Sequence, residues 1–557
     1  MQPRLRGKGR VMKLGKILLI VGTMLFGLVE AFGGVNIKNG NFYVSYTDLV
    51  VPGGANTLKM TRTYNSKSTF VGWFGFGWGS DYETYLETQP DGSLVVFENG
   101  GGATTRFTAK AGADAQIGAQ KIVDAMKKAN AVQGKGAIDL LAKLKNDAEL
   151  RTMYSKKYKV ENAVASGTVL YSNNRGIQQI EVKGDSYVRV TADGKTQTFN
   201  KLGKLSKISD KNGYSIAFEY DQANMLKSIK DSMVKQVFFS WYPDGRVKEL
   251  WSVGDKKASY KFQGQDLVES IDVASNKFGF SYDKNHNLIS VNYTDNTKML
   301  IDYDKKTQFV TAVTTKTGDK TSYDYGSDPK DSKNHYWTSV TKNGLNGKPV
   351  TNRYEYEIKA KTDGERYTYR ILTELSGIKT ETVYSECCSL PIKITRGNQV
   401  TNFEYDSNGL LLKKNSTKGD FVQLDYDQKL KKISKVTDNS GWTTYSYDPK
   451  GNLTKAVNSK GQVVVLTYDS KGKITKMVDT QQGKKENRIL SFQYNAMGKP
   501  STIAMDKVGS IQVAYDDYGE IKKVDSKGGD GKLALQVTQA FTNLLNIVKP
   551  AGVSLSF

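Results

Sequence analysis

The chain has 557 residues, with 53 Gly, 32 Tyr, 10 Pro and a formal net charge of +23. That length exceeds one ordinary domain. Its only two cysteines are adjacent, Cys387 and Cys388, so no disulfide framework staples distant segments, and whether the two pair with each other stays open. With His286 and His335 as the sole histidines, the sequence argues against a zinc centre.

Residues 1–16 carry six basic side chains, and the thirteen that follow, 17–29, are apolar. Thirteen falls short of the ~20 needed to span a bilayer. The pattern predicts a secretory signal peptide over 1–31, cleaved after Ala31, with Met12 as an alternative start. The expectation is export, with no transmembrane helix once the leader is removed. Residues 32–109 alternate polar and apolar positions and read as a β cap. Within it, Trp73, Phe74, Phe76 and Trp78 interleave with glycines. Rings can pack where glycine lets backbones pass closely, which supports a packed β corner. A carbohydrate-stacking contact through these four residues is the functional alternative.

Residues 110–160 lose the β texture. Ile122, Ala125, Met126 and Ala129, then Ala137, Leu141, Leu144 and Ala148, recur at helical spacing. They predict an insertion of two helices, over 118–131 and 137–158, acting as a plug, a lid or a partner-binding hairpin.

From 161 to 525 the chain is a tandem array. Aromatic anchors stand at Phe199, Tyr220, Tyr242, Phe262, Tyr282, Tyr303 and Tyr325, spaced by 20 to 22 residues. Four Tyr-Asp pairs begin at Tyr405, Tyr426, Tyr447 and Tyr468, each 21 residues after the last, and further units carry Tyr494 and Tyr515. Each unit parses as a β-rich run, a turn of Asp and Gly, a return run and a second polar turn. One period holds a hairpin and leaves no room for a helix. About fifteen hairpins follow from this spacing, joined as a long antiparallel sheet. Apolar pairs after the turn are three apart (Ile433 and Val436, Ile521 and Val524) or four apart (Leu453 and Val457, Ile474 and Val478). Strict alternation places only the second kind on one face. A bulge, or a sheet covered on both sides, reconciles them.

The Tyr-Asp-x-x-Gly units resemble the YD repeats of the RHS/YD-repeat family, which includes bacterial Rhs proteins, Tc-toxin shell subunits and animal teneurins. The segments NGNF, TRTYNS and FGFGW are similar to the domain that opens many RHS proteins. The resemblance implies one long sheet spiralled into a shell, or an open curved sheet, outside the cytoplasm: secreted, periplasmic or on the outer surface of a bacterium. Asp448-Pro-Lys-Gly451 matches the letters of the family's self-cleaving motif. It lies at an ordinary mid-array turn, so cleavage and toxin release are not carried over. No C-terminal self-cleaving motif or toxin is expected after Tyr515.

Residues 526–557 read as a closing cap or plug. Val537, Ala540, Phe541, Leu544, Leu545 and Val548 predict a helix ended by Pro550.

No phosphate loop, GxSxG or HExxH is present, and the repeat carboxylates are explained by their turns. The expectation is a non-enzymatic exported scaffold with no catalytic residue, cofactor or metal, which encloses or displays a ligand. A glycan- or envelope-binding adhesin and a toxin-system shell with separately encoded cargo are the alternatives. Partners would be an envelope protein or glycan, or an encapsulated polypeptide. Lysines spread evenly through the repeats rather than cluster, which disfavours nucleic acid. The anchors singled out are Tyr220, Tyr282, Tyr405, Tyr426, Tyr447, Tyr468 and Tyr515.

Overall fold

A computed structural model describes residues 32–548 except 52–57, 101, 111–112, 162, 173–177, 192, 253, 255, 345–346, 363, 387–388, 481–486, 497, 507, 517–520 and 529. The expected leader over 1–31, the Cys387–Cys388 pair and residues 549–557 lie outside the described residues.

The cap begins with a four-stranded antiparallel sheet of Phe32–Asn36, Asn41–Val51, Leu58–Asn65 and Trp78–Ser80. A two-stranded ribbon, Val71–Gly72 with Gly75–Phe76, and a three-stranded sheet, Tyr85–Thr88, Leu94–Phe97 and Thr104–Phe107, complete it. Strand Asn41–Val51 buries alternate side chains, as a half-covered sheet requires.

Three helices follow, not two: α1 (Ala115–Lys128), α2 (Gly134–Lys145) and α3 (Ala148–Tyr158). The expected second helix breaks at Asn146-Asp147. The Asp147 carboxylate caps α3 by accepting from the Leu150 amide at 2.9 Å. The buried Arg151 guanidinium turns back to the last carbonyls of α2, Leu144 O at 2.8 Å and Lys145 O at 3.0 Å. Two helix ends are satisfied locally, and the break costs little.

Thirty-three strands then run from Val169–Ser172 to Ile521–Gly528 in one sheet, each antiparallel to its neighbour in sequence. The spatial order is the sequence order, as expected for tandem hairpins. The sheet does not close into a barrel, but it curls far enough for distant turns to touch. Lys211 Nζ donates to Gly451 O at 3.0 Å, and Asn452 Nδ2 to Asn212 Oδ1 at 2.9 Å, both across 240 residues. The last helix, α4 (Asp530–Val548), lies on the late strands.

Three separate apolar cores result, one of them within the helices α1–α3 through Ile122, Met126 and Leu144. The cap packs on the early strands through Phe42, Met60, Trp78, Leu226 and Leu288, among others. Helix α4 packs on the late strands through Ala540, Leu544 and Ile547 against Leu453, Leu466 and Met477. Between them, five consecutive strands bury no side chain fully: Arg366–Leu375, Ile378–Tyr384, Pro391–Arg396, Gln399–Tyr405 and Leu411–Ser416. No described helix is long and apolar enough to cross a membrane.

Candidate functional site: the repeat clamp, the cap junction and the inner wall

Most repeats carry the same small machine. At Tyr468 the strand Val463–Tyr468 meets its return strand with a shift of register, so that Tyr468 faces Ile474 while Thr467 faces Lys476. The same bulge falls at Tyr220, Tyr282, Tyr405, Tyr426, Tyr447 and Tyr515. An extra residue on the return strand brings positions three apart to one face. Leu226 and Ile229, Leu288 and Val291, and Leu453 and Ala456 are the buried pairs. Of the two explanations open from sequence, the bulge is the one present. Ala456 and Met477 are therefore the inward positions, rather than Val457 and Val478.

The anchor tyrosine closes the unit. Its hydroxyl donates to a carbonyl at the start of the preceding return strand: Tyr220 to Leu205, Tyr282 to Leu267, Tyr405 to Pro391, Tyr426 to Leu411, Tyr447 to Ile433, Tyr468 to Leu453 and Tyr515 to Pro500, at 2.7–2.9 Å. Burial raises all seven phenol pKa values, that of Tyr426 to about 12, so these groups remain donors at any physiological pH. The following Asp accepts two turn amides: Asp469 Oδ1 takes Lys471 N and Lys473 N, both at 2.9 Å. Gly472 supplies the left-handed position at φ 74°. One anchor differs from the sequence reading. Trp241, not Tyr242, stands at the bulge and donates Nε1 to Leu226 O at 2.8 Å, while Tyr242 occupies the Asp position and bonds Tyr260 O.

The cap is docked along the turn ends of the early repeats. Trp73 O accepts the Val247 amide, Gly40 O the Val310 amide and the Tyr64 hydroxyl the Leu288 amide, at 2.8–3.1 Å. All three amides belong to the first residue of a return strand. Arg62 is fully buried at the centre of this junction. It meets Asp48 at 2.7 Å and Ser270 Oγ at 2.6 Å, and lies over the Tyr46 and Trp78 rings.

The four aromatics proposed as ligand contacts sit at this junction. Phe74 and Trp78 are both 0% exposed. Phe74 meets Tyr260 edge-on, and Trp78 Nε1 donates to the Tyr282 hydroxyl at 2.9 Å. Trp73 and Phe76 are partly exposed, against Trp241 and stacked on His286 respectively. Trp73 also lines a cleft of about 550 Å³ with Phe70, Tyr85, Leu202 and Met225. Glu83 lies in its wall. Its carboxylate accepts the Trp73 amide at 2.6 Å, yet burial pushes its pKa up to about 8, and the Trp73 and Ser80 amides pull it back only in part. Sequence reasoning missed Glu83, Asp48 and Arg62. Arg62 lies inside the TRTYNS segment, but no local spacing pairs it with Asp48.

A second cavity, about 820 Å³, separates the early strands from the late ones. Ile208 and Ile216 face it from one side, Leu453, Leu466 and Leu544 from the other. Beyond it, the uncovered sector has a definable inner side. Thr338 Oγ1 donates to the cap carbonyl Ile37 O at 2.5 Å, which points that face inward. Following the register from Thr338, the inward positions are Tyr354 and Tyr356, then Thr373 and Ile371, then Thr380 and Thr382, then Arg396 and Ile394. Tyr356 is buried, and from Ile371 onward the named positions form a partly exposed wall of Thr and Ile that ends at the exposed Arg396.

The fold and its repeated clamp define a curled scaffold of tandem β-hairpins with an N-terminal cap. An RHS Repeat model matches residues 426–463 and 447–484, and a domain of unknown function, DUF6531, matches 33–107. Over these segments the chain carries RHS repeats and is similar to the RHS/YD-repeat family. It is 38% identical over 79 residues to the tRNA3(Ser)-specific nuclease WapA of Bacillus spizizenii, and 37% identical over 79 residues to the tRNA nuclease WapA of Bacillus subtilis. Each match spans 14% of this chain and only 3% of the relative. Among solved structures, it is similar to TcdB2-TccC3 without its hypervariable C-terminal region, with 10% identity, TM-score 0.37, and coverage of 93% of this chain and 31% of that one. A Photorhabdus luminescens Tc holotoxin pore matches at 10% identity and TM-score 0.36, over 87% of this chain and 29% of that one.

Proposed function

We propose that this chain is the non-enzymatic scaffold of an exported YD-repeat protein, and that its curled sheet encloses a polypeptide. The observation that carries this is the inner wall from Arg366 to Ser416, on which no side chain is fully buried. The cap packs on the early strands and α4 on the late ones. Along this wall the inward positions are Ile371, Thr373, Thr380, Thr382, Ile394 and Arg396, side chains that give an extended chain both apolar area and hydrogen bonds without selecting one sequence. The test uses the full chain with a fluorescent, reduced and carboxymethylated α-lactalbumin as unfolded probe. Co-elution and protection of the probe from trypsin are expected, and Ile371→Glu with Thr382→Glu should abolish both. A probe digested equally fast with and without the chain overturns the enclosing reading.

A second reading, an envelope-glycan adhesin, is favoured by one observation: Trp73 is partly exposed in an aromatic-walled cleft. Tryptophan fluorescence titrated with envelope glycans checks it, with Trp73→Ala as the control. The buried Trp78 would report folding only.

A further inference from the structure

The cap core and the α4 core share no member, and the sheet joining them is a single layer across five strands. On the opposite side, the halves meet through turns. Lys211 Nζ reaches Gly451 O, and the Asn212 side chain accepts from Asn452 and covers Gly472 so closely that a Cβ there would stand 2.2 Å from Asn212 Nδ2. Behind these contacts the apolar walls face each other across the 820 Å³ cavity instead of packing. We propose that the molecule is a two-part clamshell: residues 32–360 form one body, residues 421–548 the other, strands 366–416 are the hinge, and the Lys211/Asn212–Gly451/Asn452 turn contacts are a polar latch that opens the interior.

The physical argument is one of relative strength. Each half is held by a contiguous buried core, whose separation from itself would expose large apolar area. The latch is a few hydrogen bonds between turns, each with a modest net contribution because water replaces it on opening. Opening the seam breaks no strand pairing, since the sheet is continuous only through the hinge. A single-layer sheet with both faces wet absorbs a change of twist without creating voids, unlike a two-layer packed sheet. Hinge motion about such an element needs only small changes in several residues. The inference holds whatever the shell encloses, because it concerns the molecule alone.

Distance measurements between spin labels in the full chain test it. Labels are placed at Lys207→Cys and Lys471→Cys, exposed positions on either side of the seam, in a chain carrying Cys387→Ser and Cys388→Ser. A second pair, Lys207→Cys and Lys248→Cys, reports within the early body. With Lys211→Ala and Asn452→Ala added, the cross-seam distance should lengthen by more than one strand spacing, about 4.8 Å, while the second distance stays unchanged. An unchanged cross-seam distance overturns the latch. A change in both distances overturns the claim of two independent bodies.

Discussion

Glu83 gives the cap junction a dependence on pH that can be worked from the structure. An ordinary glutamate ionises near 4.5, whereas burial holds Glu83 protonated to about 8. In that interval the unfolded segment releases a proton that the docked cap retains, so the native state binds more protons and its stability falls as pH rises. The contribution is fully present below pH 4.5 and is lost progressively up to about 8. At roughly 1.4 kcal/mol per pH unit, the loss is about 3 kcal/mol by pH 7 and about 4 kcal/mol by pH 8, where the buried carboxyl is itself half ionised. Glu83→Gln removes the proton and keeps the shape, including an oxygen for the Trp73 amide. Its amide nitrogen lacks a partner, as does the protonated carboxyl, so the two proteins should be equally stable at pH 4. At pH 8 the variant should be more stable by roughly 2–4 kcal/mol, allowing for imperfect accommodation of the NH2 group. The assay is hydrogen exchange at the Val247 amide, which donates to Trp73 O and is freed when the cap lifts. Intrinsic exchange rates are corrected at each pH. If wild type and Glu83→Gln show parallel opening free energies from pH 5 to 8, the reasoning about a buried neutral carboxyl is wrong.

Other substitutions probe the repeat and the junction. Tyr468→Phe removes the hydroxyl on Leu453 O and should cost about 1 kcal/mol, seen as faster amide exchange confined to strands 453–478. Gly203→Ala places a Cβ 1.9 Å from the Leu86 carbonyl, whereas Gly213→Ala, also at positive φ, meets nothing within 4 Å. The first should lower the melting temperature and expose the cap to protease; the second should cost only its backbone strain, about 1 kcal/mol. Arg62→Met leaves Asp48 buried without its cation and should cost about 3–5 kcal/mol. Adding Asp48→Leu should restore most of that loss in thermal denaturation, and failure to do so would mean that Arg62 acts through packing alone.

Much of the fold was legible because the repeat writes its own structure locally. Asp469 and Gly472 announce a turn by their chemistry, and the 21-residue period forces one hairpin per unit. The bulge was visible only as a conflict between spacings of three and four, because its cause is the fit of Tyr468 over a neighbouring strand. Trp241 was passed over in favour of Tyr242, although it lies 21 residues after Tyr220 and 21 before Phe262; holding to the period would have found it. The split between α2 and α3 depends on Arg151, a side chain that reads as a solvated surface residue until its burial is known. The cap junction was the least legible part. Asp48, Arg62 and Tyr260 meet only because three separate segments are folded together, and no pattern within one segment encodes that.

The contact of Lys211 with Gly451 bears on how such a chain can change length. An open solenoid gains or loses modules freely, since each touches only its neighbours. Here about eleven modules fill the lap between two turns that must meet. Inserting or deleting one inside the lap would bring the wrong turn opposite Asn212, while the same event after residue 473 would leave that meeting intact. Natural variation in module number should therefore be concentrated outside the lap, and its size within the lap should behave as a fixed circumference.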